Sequence, residues 1–304
     1  TTVNSLARQT GAVKRQGKVQ IYDLVCTLVL GFGSGDKRTL AALRRSYELT
    51  AGHTIEESAF YKRFTPELVA LMKGLLVHAF AQLQGVGRLL QGPLAQFRDI
   101  LLTDSTVVRL HHLLSKVYPA CRTNHTKAAM KAHVVMSVRG AGRSSIKVTS
   151  ERRHDGPVFT IGPWIKGHLL LFDLGYFRYQ LFDAISRNRG YFVTRMKKNA
   201  NPTIVSVNRA HSGRAVNLVG ERLHDVLERL DRDVLDVNIE VEFSRRAYAG
   251  LRSRARQVLR LVGTKDADSG EFHLYVTNLS IDQLGAEDVA IVYSLRWQIE
   301  LLLK

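Results

Sequence analysis

Three acidic residues have the type and the placement needed to hold a divalent metal ion. Asp104 follows an apolar run that begins at Ile100, and Asp173 ends the run LLLFD. Short apolar runs of this kind indicate buried strands, and open α/β sheets carry reactive groups at the C-terminal ends of their strands. The third acid, Glu300, lies in a long apolar helical pattern near the end of the sequence. We therefore expect these three side chains to converge in space.

Converging carboxylates in a strongly basic chain indicate chemistry on phosphate groups. Lys and Arg number 44 against 27 acids, which gives a net charge of +17. A chain this basic most often binds a polyanion, although a solvated basic surface is the alternative. Protein carboxylates hold Mg²⁺ together with substrate phosphates, and a pair of such ions can activate a water or a 3′-hydroxyl. Without metal, the three carboxylates are expected to raise one another's pKa values.

A polar stripe runs along the helix that the sequence predicts for residues 287–304. At about 100° per residue, it contains Tyr293, Arg296, Glu300 and Lys304. The positions around it are apolar, so the helix should be largely buried and its polar stripe should have partners. Trp297 points away from the stripe, and we expect it to pack in the core.

Each acid also has a purely structural explanation. Asp173 could cap a following helix, and Asp104, between two hydroxyl residues, could cap a turn. Arg296 and Glu300 have the spacing of a weak surface ion pair on a helix. The combination of all three acids, rather than any one of them, favours a catalytic site.

The order of elements indicates a mixed α/β protein with four segments. Residues 1–95 are predicted to be helical, with clustered arginines that suit either a DNA-binding region or a packing domain with exposed charges. Residues 96–200 should form the first part of the catalytic core, after the Gly92-Pro93 boundary. Residues 201–284 should form a β-rich insertion, because alternation is clean from Asp236 to Arg245. Residues 285–304 should form the last core helix.

These features resemble the DDE transposases of the insertion-sequence-four type. In that family the first Asp ends the first strand of a ribonuclease-H-like core, the second Asp ends the fourth strand, and the Glu follows a β-rich insertion. The family signature is Tyr, two residues, Arg, three residues, Glu, six residues, Lys. Tyr293, Arg296 and Glu300 match it in place. The signature Lys would fall beyond Lys304. The sequence begins at Thr1 without a methionine and stops within a helical pattern, so we expect the chain to be a fragment.

The resemblance implies a ribonuclease-H-like mixed sheet flanked by helices, and cut-and-paste DNA transposition. Asp104, Asp173 and Glu300 would hold two Mg²⁺ ions, with Mn²⁺ as a substitute. Tyr293 and Arg296 would bind DNA phosphate, and Lys304 would assist. The partners would be double-stranded DNA, as terminal inverted repeats and target, and a second copy in a homodimer.

Two alternatives to a transposase remain at this point. One is a catalytically silent DNA-binding protein descended from a transposase, and the other is a host nuclease on the same core. A prokaryotic cytoplasmic, nucleoid-associated location is expected, without a membrane. The apolar run Leu24–Phe32 is too short to span a bilayer.

The segment from 122 to 166 carries nine Lys or Arg residues and two acids. We expect a DNA-facing strip there, with solvated charge as the alternative. Its members would be Lys127, Lys131, Arg139 and Arg143. His154-Asp155 could line the site or make a local hydrogen bond. The two cysteines and the remaining histidines lack zinc spacing, so zinc is not expected.

Overall fold

The computed structural model describes residues 1–15, 17, 19–33, 39–84, 90–121, 126–140, 144–208, 217–245 and 253–303. The chain forms two compact units, Thr1–Gly85 and Val86–Lys304. No helix within the described ranges is long and apolar enough to cross a membrane.

The first unit is helical. Its helices are α1 (Thr2–Gln9), α2 (Ile21–Gly33), α3 (Leu40–Ala51), α4 (Glu57–Tyr61) and α5 (Pro66–Gln84). Helix α3 begins where the Thr39 side chain accepts a hydrogen bond from the Ala42 N–H, and it ends at Gly52, whose φ of 70° is the left-handed conformation that glycine favours. The core of this unit contains the fully buried Leu24, Tyr47 and Phe60. A helical first region is therefore observed, and its DNA-binding role stays a prediction.

The second unit is built on a sheet of nine strands among the described residues. The strands are β1 (Asp99–Leu110), β2 (Ala128–Ser137), β3 (Ser145–Ser150), β4 (His168–Phe172), β5 (Tyr191–Arg195), β6 (Thr203–Val207), β7 (Val234–Ser244), β8 (Arg254–Lys265) and β9 (Phe272–Thr277). Their order is β3-β2-β1-β4-β5-β9-β8-β7-β6. Strands β1, β4 and β5 run parallel, and the other pairings are antiparallel. This confirms the predicted mixed, ribonuclease-H-like sheet.

Helices cover the sheet. They are α6 (Asp155–Val158), α7 (Tyr179–Arg187), α8 (Leu223–Arg229), α9 (Ala286–Ser294) and α10 (Trp297–Leu303). Helix α7 packs on β5 and β7, α9 packs on β5, β7 and β8, and α10 packs on β1. Strand β4 is completely buried after its first residue because layers cover both of its faces.

The main apolar core lies on the α7 side of the sheet. Phe182 stacks on Phe192 with ring centroids 4.5 Å apart, and Phe172 stacks on Phe192 at 6.0 Å. All three rings are fully buried. They fix the positions of β4 and β5, and therefore the point at which Asp173 leaves the sheet.

Strand β1 extends beyond the end predicted for it. Asp104 was expected to end this strand, but β1 continues to Leu110 because the hairpin partner β2 pairs with it from Leu101 through Leu110. What ends near Asp104 is burial: residues 99–103 are buried, and the strand becomes partly exposed from Asp104 onward. The prediction that Asp104 marks the edge of the core was therefore right, whereas the predicted strand end was wrong.

The last helix is broken, whereas the sequence predicted one helix over residues 287–304. Helix α9 ends at Ser294 and α10 begins at Trp297. Across the break, Arg296 N–H donates to the Tyr293 carbonyl at 3.0 Å and Ile299 N–H donates to the Arg296 carbonyl at 3.1 Å. These three-residue spacings tighten the turn and interrupt the α-helical ladder.

Candidate active site

The two aspartates lie side by side because of the register between β1 and β4. These parallel strands pair from Asp99 with His168 through Thr103 with Phe172. Asp104 and Asp173 each follow the last pair. Since neighbouring strands are about 4.8 Å apart, consecutive residues at this edge are close neighbours. Alternation along the strands directs Asp104 to the face opposite Thr103, the face on which α10 packs against β1.

Arg296 connects the first strand to the last helix. Its Nη1 lies 3.5 Å from Oδ2 of Asp104, and its Nη2 lies 2.6 Å from Oε1 of Glu300. The Arg296 side chain is only 9% exposed. The tight turn at the α9–α10 break therefore brings a buried cation and Glu300 to the edge where the two aspartates lie.

Tyr293 completes this group from α9. Its hydroxyl points to the Phe172 carbonyl oxygen at 3.5 Å, next to Asp173, and its ring lies 5.5 Å from the Arg296 guanidinium carbon. Burial raises the pKa of the Tyr293 hydroxyl to about 12, so the phenol stays protonated near neutral pH. Tyr293 is thus a buried hydrogen-bond donor beside the acids.

The acids influence one another electrostatically. Burial raises the pKa of the Asp104 carboxyl, and the nearby Asp173 and Glu300 carboxylates raise it further. The Ser105 N–H, which donates to Asp104 at 2.7 Å, and the Arg296 guanidinium lower it. The net shift is upward, the direction expected for crowded carboxylates. A cation added at this site would relieve that crowding.

The donor chemistry fits a hard divalent cation, but the present arrangement is paired with Arg296 instead. Carboxylate oxygens are the ligands that Mg²⁺ prefers. In the described part of the chain, no three His, Cys, Asp or Glu side chains are grouped closely enough to hold a metal ion. Arg296 forms ion pairs with carboxylate oxygens of both Asp104 and Glu300. Within the described ranges the Asp173 carboxylate makes no hydrogen bond or ion pair, although its charge acts on Arg296 electrostatically.

The residues of the predicted DNA-facing strip are not equivalent. Lys127 is exposed just before β2, and Arg139 lies after β2, where its guanidinium donates to the Arg98 carbonyl at 3.1 Å. Lys131 is mostly buried and pairs with Asp155 at 3.3 Å, so its charge does not face open solvent. Arg143 and Lys304 lie outside the described residues. The role of these residues in DNA binding stays a prediction.

Trp297 does not pack in the core, so that prediction was wrong. The tight turn before α10 rotates the helix start, and the indole is 57% exposed. Ile299, two residues later, is fully buried and provides the contact with the core instead.

A polar cluster that sequence reasoning did not assemble lies on the opposite face of the sheet. Asp155 Oδ1 lies 3.3 Å from Lys131 Nζ and 3.3 Å from His133 Nδ1. His133 is 5% exposed, and its Nε2 lies 2.9 Å from the Thr149 hydroxyl. The sequence drew attention to Asp155 only through its exposed neighbour His154. The histidine that Asp155 contacts is instead His133. A local sequence pattern could not reveal this contact because His133 lies on strand β2, far from Asp155 in the sequence.

Known proteins share these features. A family model described as the transposase DDE domain matches residues 95–304. A transposase for insertion sequence element IS231F of Bacillus thuringiensis subsp. israelensis is 23% identical over 99% of this chain and 69% of the relative. One for IS1151 of Clostridium perfringens is 20% identical over 99% of this chain and 70% of the relative. One for IS231E of Bacillus thuringiensis subsp. finitimus is 22% identical over 99% of this chain and 69% of the relative.

These matches confirm the resemblance to transposases of the insertion-sequence-four type and do not favour the two alternatives, a silent DNA-binding protein or a host nuclease. They account for a chain whose net charge is strongly basic and which gathers acids at one edge of its sheet. The chain belongs to the DDE transposase family.

Proposed function

We propose that this transposase cuts DNA at the ends of an insertion sequence and joins the freed ends to target DNA, with Asp104, Asp173 and Glu300 as its catalytic acids. The observation that carries the proposal is that Arg296 links Asp104 to Glu300. The pairing of Thr103 with Phe172 adds Asp173, because Asp104 and Asp173 directly follow these two residues. Residues far apart in the sequence thereby meet at one sheet edge.

The three acids hold the metal in this proposal, and two Mg²⁺ ions, with Mn²⁺ as substitute, would supply activation of the attacking oxygen and stabilisation of the leaving oxygen. Arg296 then has a second role. Its planar guanidinium suits bidentate binding of a phosphate. When DNA binds, Arg296 therefore releases the carboxylate oxygens and binds a backbone phosphate instead. Tyr293, which stays protonated, donates a hydrogen bond beside it.

DNA binding is proposed to extend beyond the acids. The helical region 1–95 binds the terminal inverted repeats, and exposed cations such as Lys127 contact the backbone. Two element ends have to be cut, and each chain offers one set of acids. We therefore propose a homodimer on paired ends, which light scattering with and without DNA ends would detect.

The test of the proposal is strand cleavage on a plasmid that carries the element's own terminal sequences. The wild-type chain should nick it with Mg²⁺, whereas Asp104→Asn and Asp173→Ala should not, although both should bind the DNA as tightly as wild type. A plasmid with scrambled ends separates a transposase from a nuclease without end preference. Equal cleavage by wild type and Asp104→Asn would overturn the catalytic assignment.

A further inference from the structure

Asp155 contacts β2, which pairs with the strand that carries Asp104, and the turn that follows Asp173. Strand β2, which holds Lys131 and His133, pairs with β1 so that His133 is opposite Ser105, one residue after Asp104. Asp155 contacts both of these β2 side chains. Its own helix, α6, packs against the 3₁₀ turn Leu174–Tyr176 that directly follows Asp173.

The contact with that turn is close. A Cβ atom at Gly175 would lie 2.8 Å from Oδ2 of Asp155, which is nearer than such atoms approach in folded proteins. The carboxylate therefore lies directly against Gly175, and a side chain at this position would have to displace it. One carboxylate thus contacts β2 through Oδ1 and the Asp173 turn through Oδ2.

The next residue of the turn supports the same connection. Tyr176 is almost fully buried, and its ring packs against Phe172 and Phe159. Its hydroxyl lies within electrostatic reach of Asp155, Asp104 and Asp173. The turn is thus held between the apolar core and Asp155, whereas the Asp173 carboxylate itself makes no hydrogen bond or ion pair within the described ranges.

We propose that Asp155 is a positioning residue for Asp173: it fixes the turn after β4 against β2, and so sets the distance between the Asp104 and Asp173 carboxylates. The inference rests on the proposed function, because it gives these aspartates the metal. Alternation places Lys131 and His133 on the face of the sheet opposite Asp104, so Asp155 acts from behind the site. It does not touch DNA or the metal.

A positioning role predicts a specific defect. Asp155→Asn keeps the shape but removes the negative charge that pairs with Lys131 and lies beside His133. The Mg²⁺ concentration for half-maximal cleavage should rise about tenfold, as for other groups that orient metal ligands. DNA affinity should stay within about twofold of wild type, and saturating Mn²⁺ should restore the cleavage rate. Glu228→Gln, an exposed acid on α8, is the control and should match wild type.

A second readout does not depend on cleavage. Stabilisation by Ca²⁺, followed as a rise in Tm, should require about tenfold more Ca²⁺ in Asp155→Asn than in wild type. If both variant and wild type respond to the same Mg²⁺ and Ca²⁺ concentrations, the positioning role is overturned while the proposed function stands. If wild type neither cleaves with Mg²⁺ nor gains stability from Ca²⁺, the metal-dependent function fails, and the inference falls with it.

Gly175 gives an independent test should Asp155→Asn unfold. Gly175→Ala should weaken the Mg²⁺ response because its methyl group displaces the Asp155 carboxylate. In an Asp155→Ala background the methyl group has room, so Gly175→Ala should raise the Mg²⁺ concentration for half-maximal cleavage by a factor at least about three times smaller. An equal rise in both backgrounds would show that the contact does not set the metal site and would overturn the proposal.

Discussion

The Arg296 guanidinium lies 3.5 Å from the Asp104 carboxylate and joins the last helix to the first strand of the sheet. Its other nitrogen lies 2.6 Å from Glu300, so one buried cation holds two of the three acids. A divalent ion would compete with it for the same oxygens. The free site is therefore held together by an interaction that metal and DNA phosphate would replace.

Arg296→Ala should lower stability without metal and increase the response to metal. Removing the guanidinium leaves Asp104 and Glu300 close together and unneutralised, so Tm without metal should fall by several degrees. Added Ca²⁺ should then raise Tm by more than it does in wild type, because no cation has to leave first. Differential scanning fluorimetry over a Ca²⁺ titration measures both effects.

Arg187→Ala is the matched control for this experiment. Arg187 also pairs with an acid four residues away, Asp183, but its side chain is 62% exposed and far less buried than Arg296. Its loss should change neither Tm nor the Ca²⁺ response appreciably. A Ca²⁺ response of Arg296→Ala no larger than that of wild type would contradict competition between Arg296 and metal.

Asp104→Asn should abolish cleavage without destabilising the fold. Burial and neighbouring carboxylates raise the pKa of Asp104, which means that its charged form is less favoured in the folded chain than in the unfolded chain. A neutral amide at this position should therefore be tolerated, with a Tm at neutral pH equal to or above that of wild type. A clear drop in Tm would show that the charged pair with Arg296 outweighs the crowding of the acids.

The sequence predicted those parts of the fold whose signals are local. The alternation from Asp236 to Arg245 predicted strand β7, which is observed as Val234–Ser244. Strand β4 was recognised because a buried parallel strand is a continuous apolar run. The short strand β6 and helix α8 were missed inside the insertion, since five to seven residues give too little periodicity.

The site could be predicted as a set of acids but not as an arrangement. Type and spacing predicted Asp104, Asp173 and Glu300 as a set, and their catalytic role stays a prediction. The break before Trp297 was hidden in an uninterrupted apolar pattern. The pair formed by Asp155 and His133 depends on tertiary packing between helix α6 and strand β2. No periodicity encodes such a contact, so Asp155 could be noticed but not interpreted.

The buried His133 should make stability depend on pH. Burial lowers the pKa of its imidazole, with Lys131 and Lys147 acting in the same direction and Asp155 opposing them. The His133 imidazole of the unfolded chain becomes protonated near pH 6.5, whereas in the folded chain it is protonated only at lower pH. The contribution of His133 to the free energy of unfolding is thus fully present above pH 6.5 and is lost as the pH falls. Thermal unfolding at pH 7, 6 and 5 should show a steeper loss in wild type than in His133→Gln; parallel curves would contradict this.

The buried pair between Arg260 and Asp236 should matter for the position of α9 as well as for stability. Arg260 Nη2 lies 2.6 Å from Asp236, and its Nη1 donates to the Leu284 carbonyl at 2.6 Å, directly before α9 begins. Arg260→Met leaves the Asp236 carboxylate buried without a cation, so the free energy of unfolding should fall by about 3–5 kcal/mol.

A second change separates the cost of the unpaired charge from the loss of the arginine itself. Adding Asp236→Leu to Arg260→Met removes the buried charge, so most of the lost stability should return in denaturant unfolding. The lost contact with Leu284 should remain and lower cleavage in the stable double variant. Arg256→Met, on the same strand but 67% exposed beside Glu240, should change stability by less than about 0.5 kcal/mol. A double variant that cleaves as fast as wild type would show that Arg260 supports the fold without setting the position of the helix that leads to Glu300.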